Sequence, residues 1–445
     1  MNENDIDIDR LNSFTPEEGY LDINEKNNLK FDGVDCVDLA RKFDTPLYVI
    51  SEKRLRHNLK KISRTFKNYY ENTKIAYAYK ANPTMGVCKI LKDEGAMAEV
   101  ISLGELILAD LTGFEGSDII FNGVNKDIRG IRLAIKMGSL INVDSLNELD
   151  IIEREAKNLG VDAKIGIRIN PVVKTGTLAE WETALESSKF GINIDNGLKA
   201  YKKAKELDHI DIRGIHAHIG SQIEDVTPYK TAAERVMNFL NELKRELGVD
   251  IEVLDLGGGF PLPHRYKDIP PLKEYAETIT KVIIEKVNEF DLQTPTLVLE
   301  PGGSIVGNTS VLLLEVGIVK NRENTVDWAY VDGGANIILR ATQGWYVYQI
   351  VCCNKMDEPQ EETYNIGGPL CYSGDVLGYE RDLPELEQGD VLGVLDCGAY
   401  TMSIFNRYNS HPLPAVILID KNGEVKVLRQ RENFSKLIEG ERILL

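Results

Sequence analysis

Nothing in the cysteine pattern suggests a staple or a metal cluster. The 445-residue chain has six cysteines, at Cys36, Cys88, Cys352, Cys353, Cys371 and Cys397, and no two stand in C-x-x-C spacing. That argues against a disulfide framework and against bound zinc. Histidine is as sparse, with six residues, of which only His216 and His218 lie close together. Two donors without a third make a poor metal site, so no metal is expected. Positive charge is in deficit: 52 Lys and Arg against 70 Asp and Glu leave a net charge of -18. This excess argues against nucleic acid or an anionic membrane as partner, and says little about a small substrate, since one basic pocket overrides it. The apolar runs are too short to span a bilayer. Met1-Asn2-Glu3-Asn4-Asp5 is acidic where a secretion signal would be basic, so a cytoplasmic protein is expected. A strand-opening G-x-G-x-x-G is also missing, which weakens a dinucleotide reading.

What is present is a chain able to bury a large core, with 43% hydrophobic residues and a length suggesting two or three domains. Residues 1–30 are polar and acidic and read as an arm or disordered tail. From residue 75 onward a rhythm sets in. Strands are expected at 75–79, 98–101, 118–122, 140–143, 164–170, 213–219, 252–256 and 296–300. Helical patterns fall between them, at 104–111, 128–137, 145–158 and 229–247. Eight strands alternating with helices predict an α/β fold, a parallel (β/α)8 barrel over residues 51–303, with an open doubly wound sheet as the rival. After residue 304 the strands become short and lose their helices. Residues 31–50 and 304–445 therefore read as a second, mostly antiparallel β domain, with Asn422-Gly423 as a hairpin turn.

The stretch Ile75-Ala76-Tyr77-Ala78-Tyr79-Lys80-Ala81-Asn82-Pro83 runs as an apolar strand into a lysine, and Pro83 bars direct continuation into a helix interior. Such a lysine is either a solvated charge at a strand tip or a desolvated amine that forms a Schiff base with a carbonyl. Other strand ends carry polar residues as well: Asn122, Arg168 and Asn170, His218 and Ser221, Gly257-Gly258-Gly259, and Glu300. In a (β/α)8 barrel those ends are where the active site gathers. Gly257-Gly258-Gly259 is a tight loop or a phosphate cradle, and Gly302-Gly303-Ser304 follows the eighth strand, in the usual phosphate region of the fold. Glu300 is a salt-bridge carboxylate, or it keeps a heterocyclic nitrogen protonated. His218 is a core histidine, or it stacks on a planar ring. Taken together, the functional readings describe pyridoxal 5'-phosphate.

The motifs Tyr79-Lys80-Ala81-Asn82, His218-Ile219-Gly220-Ser221-Gln222, Gly257-Gly258-Gly259, Glu300-Pro301-Gly302, Cys371-Tyr372-Ser373-Gly374-Asp375 and Gly398-Ala399-Tyr400 resemble those of the fold-type III decarboxylases. The best match is to diaminopimelate decarboxylases, with ornithine decarboxylases more distant. The resemblance covers roughly residues 40 to 430. It implies that Lys80 is the Schiff-base lysine, His218 the ring-stacking histidine and Glu300 the pyridine partner. Ser221, Gly257, Gly258, Gly259, Gly302 and Gly303 would be phosphate contacts, joined by Tyr400 from the β domain, and Arg168 is counted with the cofactor residues. Cys371 would be the proton donor after carbon dioxide leaves, delivered to the opposite subunit of a homodimer with shared sites.

The substrate side departs from that family. Its usual arginine after Glu-Pro-Gly is Gly303 here, and losing an arginine–carboxylate pair costs on the order of 3–5 kcal/mol of binding. Arg340 matches a second arginine, a tyrosine four residues beyond it aligns with Gly344, and the acid that binds the distal ammonium is Tyr372. Arg407 or Trp345 are candidate replacements. The expectation is therefore a decarboxylase for a diaminopimelate-related, conjugated or carrier-linked amino acid. The alternatives are decarboxylation of meso-diaminopimelate itself to L-lysine, racemisation on the same cofactor, and a non-catalytic decoy. Glu300 and Cys371 argue against racemisation, and retention of Lys80, His218, Glu300 and Cys371 argues against a decoy.

Overall fold

A computed structural model describes residues 20–262, 269–344 and 346–443. The chain forms two compact units, one built from residues 56–262 and 269–305, the other from 20–55 and 306–443. The sequence placed these boundaries at 51 and 303.

The first unit is a closed barrel. Its strands are Thr73–Ala78, Met97–Val100, Ile119–Phe121, Leu140–Val143, Ala163–Asn170, Ile210–His216, Val253–Asp255 and Thr296–Leu299. Each pairs in parallel with the next, and the eighth returns to the first with Leu297, Val298 and Leu299 opposite Thr73, Lys74 and Ile75. The strands are apolar because helices cover them outside and side chains fill the barrel inside. Ala76, Ile120 and Val298 pack together there, flanked by Met97, Leu140 and Val253. The helices begin and end where local chemistry dictates. Ser102 and Ser145 accept from the backbone N–H groups of Glu105 and Glu148, while Gly138, Gly160 and Gly248 close helices in left-handed conformation.

The sixth strand has the expected length but lies three residues earlier in the chain, at Ile210–His216. It ends at His216, so His218 lies in the following loop, not on the strand face it was expected to share with His216.

The second unit is mostly antiparallel, as expected, with two parallel pairs within it. At its centre Leu47–Ser51 lies between Ser310–Lys320, antiparallel, and Ala415–Ile419, parallel. Asp327–Val331 and Glu362–Gly367 form a second parallel pair. The Asn422-Gly423 turn joins Ala415–Ile419 to Val425–Arg429 as an antiparallel hairpin, with Gly423 at φ +85°. A short strand spans Ile350–Cys352, and Trp345 lies outside the described residues.

The expected acidic arm is corrected from residue 20 onward. Leu21–Ile23 and Leu29–Phe31 are paired strands, and Tyr20, Leu21, Leu29 and Phe31 are buried in one core with Leu47, Val49 and Ile417. Residues 1–19 lie outside the described residues. Among the described residues no helix is long and apolar enough to cross a membrane.

Candidate active site

The first barrel strand delivers Lys80. After Ala78 the chain makes one helical turn, Tyr79–Ala81, and Pro83 holds Asn82 extended at φ -162° before the next helix starts at Met85. Lys80 Nζ meets Glu99 Oε2 at 2.6 Å. Glu99, 1% exposed, sits within the second strand, and Asn122 Nδ2 donates to its other oxygen at 3.0 Å. The same Asn122 amide donates to Glu300 Oε1 at 2.7 Å, and Asn142 Nδ2 donates to Asn122 Oδ1 at 2.8 Å. His216 Nε2 lies 3.2 Å from Glu300 Oε2. A continuous buried network thus runs from Lys80 through Glu99 and Asn122 to Glu300.

Burial alone would raise the Glu300 carboxyl, but His216, Lys80 and Asp255 together hold it below the usual carboxylate range. Glu300 is therefore an anion, as a partner for a protonated ring nitrogen must be. Burial, with Arg168 and Lys80 nearby, pushes the His218 imidazole well below its ordinary value, so it is neutral and suited to lie against a ring. Its Nδ1 accepts from Gly258 N at 3.1 Å. Arg168 stacks on Phe190 at 4.5 Å and lies 4.0 Å from Asp144.

The glycines are needed for close approach. A Cβ on Gly258 would stand 2.2 Å from the Glu300 carbonyl oxygen, and one on Gly259 2.4 Å from the Gly220 oxygen. These distances bring the loops after strands six, seven and eight together, with Ser221 beside Gly220. Gly302 packs on the Lys80 turn, where a Cβ would be 2.9 Å from the Ala81 Cβ. Beside these loops two buried polar atoms, Gln222 Nε2 and Ser304 Oγ, have no hydrogen-bond partner. Orphaned donors at convergent glycine loops fit an oxyanion such as a phosphate. Gly258→Ala is accordingly expected to displace the Glu300 backbone, to cost roughly 1–3 kcal/mol of stability and to weaken cofactor retention, as read by thermal unfolding and equilibrium dialysis.

The remaining expected residues belong to the second unit. Arg340, 6% exposed, lies over the rings of Tyr346 at 5.3 Å and Tyr400 at 5.2 Å. Cys371 is exposed, and its N–H donates to Asn409 Oδ1 at 2.8 Å. Asp375 braces that loop by accepting from Ala335 N at 2.6 Å and Leu370 N at 2.8 Å. The exposed Tyr372 folds back on Gly374, whose Cβ would meet the phenol oxygen at 2.5 Å. Gly344, at φ +66°, follows the short helix Leu339–Thr342 in a conformation a tyrosine adopts only with strain. Arg407 is already engaged by Glu432 at 2.6 and 2.9 Å, which weakens it as a replacement substrate contact.

Residues 56–307 match the family described as "Pyridoxal-dependent decarboxylase, pyridoxal binding domain". The chain belongs to the diaminopimelate decarboxylase family of fold-type III pyridoxal phosphate-dependent decarboxylases. It is 38% identical to the diaminopimelate decarboxylase of Methanocaldococcus jannaschii over 416 residues, 92% of this chain and 93% of that one. The enzyme of that name from Methanothermobacter thermautotrophicus is 37% identical over 425 residues, 95% of this chain and 97% of that one. The crystal structure of the M. jannaschii enzyme in complex with L-lysine superimposes with a TM-score of 0.89 at 36% identity, covering 95% of this chain and 98% of that one. This decarboxylase uses pyridoxal phosphate and acts on an amino acid.

Sequence reasoning missed Glu99, Asn142, His216 and Asp255 as members of the network around Lys80 and Glu300. The fold adds Asp255 and Glu300 to His216, with donor atoms of all three within 4.8 Å of one another, a third group that the histidine spacing does not reveal. The available signal was a lone polar residue in three short, otherwise apolar strands: Glu99 in Met97–Val100, Asn142 in Leu140–Val143 and Asp255 in Val253–Asp255. A strand buried on both faces keeps such a residue only where it is paired.

Proposed function

We propose that the chain removes the α-carboxylate of meso-diaminopimelate to give L-lysine. The end-to-end match to diaminopimelate decarboxylases carries this reading. When bound, pyridoxal phosphate supplies an electron sink for the pair left as the bond from Cα to the carboxylate breaks. Lys80 would anchor the cofactor through Nζ, with Glu99 at 2.6 Å to hold a proton beside that amine. Glu300, oriented by Asn122 and His216, would hold the proton on the ring nitrogen. His218 would line the ring face, and Ser221, Gly257, Gly258, Gly259, Gly302 and Gly303 would receive the phosphate, with Tyr400 and Arg168 supporting. Cys371 would return a proton to Cα.

A mass-spectrometric assay of cofactor-loaded protein with meso-diaminopimelate should show lysine and carbon dioxide in equal amounts. No lysine from protein that retains its cofactor would turn the case to a conjugated or carrier-linked amino acid. Gly303 and Tyr372, in place of the expected arginine and acid, favour that second reading. Under it, Gly303→Arg with Tyr372→Glu should raise kcat/KM for diaminopimelate at least about tenfold. Under the first reading the pair should leave it level or lower it.

A homodimer with shared sites is part of the proposal, since Cys371 stands exposed on a braced loop. Lys80→Ala and Cys371→Ala proteins, each inactive alone, should regain partial activity when mixed and allowed to exchange subunits. No recovery despite demonstrated exchange would place both residues in one subunit's site.

A further inference from the structure

His216 and Asp255 end adjacent parallel strands and are register partners. Both are 1% exposed and both meet Glu300, which follows the eighth strand. The hydrogen bonds around this trio leave one gap. Asp255 Oδ1 accepts from Gly257 N at 2.9 Å, whereas Asp255 Oδ2 is buried with no conventional donor facing it. Glu300 has donors on both oxygens, Asn122 Nδ2 on Oε1 and His216 on Oε2.

Two carboxylates buried side by side cannot both stay ionised, and a proton placed between them turns a repulsion into a hydrogen bond. The donors decide which acid is neutral. Glu300 has an amide and an imidazole; Asp255 has a single backbone N–H. From every element packed around Asp255, the facing charged or titratable groups are Glu300 from the end of strand eight, His216 from strand six, and, further off, Glu99 from strand two and Arg168 from strand five. Burial, followed by the Glu300 charge, pushes the Asp255 carboxyl well above its ordinary value, in agreement with the geometry.

We propose that Asp255 is a neutral carboxylic acid whose Oδ2 proton is donated to Glu300, making Asp255 a positioning residue that keeps the ring-facing carboxylate ionised and aimed. The inference rests on Glu300 being the cofactor's ring partner. It explains why an aspartate ends an otherwise apolar strand immediately before the glycine loop. Its Oδ1 fixes the loop through Gly257, and its Oδ2 fixes the acid that the loop faces.

The test compares wild type, Asp255→Asn and Asp255→Val, without substrate. Infrared spectra at neutral pH should contain the carbonyl stretch of a neutral buried acid, moving down in deuterium oxide and missing from Asp255→Asn. Asp255→Val, which has no donor, should lose about tenfold or more in cofactor affinity and alter the visible band of the bound cofactor. Asp255→Asn, an uncharged donor of the same shape, should recover most of that loss. With diaminopimelate, kcat of Asp255→Val should fall further than KM changes. The proposal is overturned if the acid band is missing from wild type, or if Asn is as damaging as Val. It is also overturned if the band is present but all three proteins hold the cofactor alike, or if purified protein carries one equivalent of divalent metal that Asp255→Asn lacks. If Asp255→Val does not fold, the infrared comparison and the Asn affinity still decide. Neither readout requires turnover, so an inactive enzyme on diaminopimelate would leave the Asp255 result interpretable.

Discussion

Lys80→Ala should lower decarboxylation by roughly four orders of magnitude or more, the scale of loss when a covalent catalytic group is deleted. The cofactor should then bind only non-covalently, so dialysis would strip it from the variant and not from wild type. A second consequence follows from the 2.6 Å contact with Glu99. Glu99 is buried, and without the ammonium it keeps only the Asn122 amide among its side-chain contacts described above. The variant should therefore also be less stable, by about 1–3 kcal/mol for a buried group left short of a partner. Adding Glu99→Gln should restore much of that stability and none of the activity. Wild-type turnover in Lys80→Ala would remove Lys80 from the chemistry.

Much of this could be read along the chain because a barrel repeats a local unit. The alternation of apolar strands and amphipathic helices places every barrel strand within a few residues, and the residues just past the strand ends are the ones proposed to carry the cofactor chemistry. His218 shows the limit. The pattern Gly214-Ile215-His216-Ala217-His218-Ile219 alternates to its end, yet its neighbour on one side is only three residues long, Val253–Asp255, and pairing stops at His216. Where a strand ends is a property of the pair, which one strand's sequence does not contain. Residues 20–31 fail for the opposite reason. They are polar on average, and the few apolar anchors among them matter only because a core lies under them. Glu99 and Asp255 were missed because a strand that looks wholly apolar invites one polar residue to be overlooked. In this barrel Glu99 and Asp255 join the cluster formed by Lys80, His216 and Glu300.

The other large effect is expected at a residue outside the strands and motifs that the sequence marks. Lys126, whose side chain is completely buried, donates to the carbonyls of Gly123 at 2.8 Å and Asn142 at 2.7 Å, and to both oxygens of Glu148 at 3.0 and 3.1 Å. Glu148 in turn accepts from Asp144 N at 2.7 Å. One ammonium thereby ties the loop after strand three to the end of strand four and to the helix Leu146–Leu159. Burial pulls the amine below its ordinary value, while Glu148 and Asp144 oppose that and favour the charged form. Lys126→Ala strands a buried carboxylate and two carbonyls, and should cost about 3–5 kcal/mol in denaturant unfolding. Lys126→Met, which keeps most of the stem, should lose nearly as much, because the missing term is the charge and its hydrogen bonds rather than volume. Lys126→Met with Glu148→Leu should be more stable than Lys126→Met alone, since neighbours in one ion pair are not additive. Recovery should be incomplete, because Asp144 N and the two carbonyls stay unpaired. The carbonyl lost from the network belongs to Asn142, whose amide orients Asn122 and through it Glu300. Destabilised Lys126 variants should therefore also hold the cofactor more weakly under conditions where they remain folded, and a variant with lowered stability but wild-type cofactor affinity would uncouple the ion pair from the site.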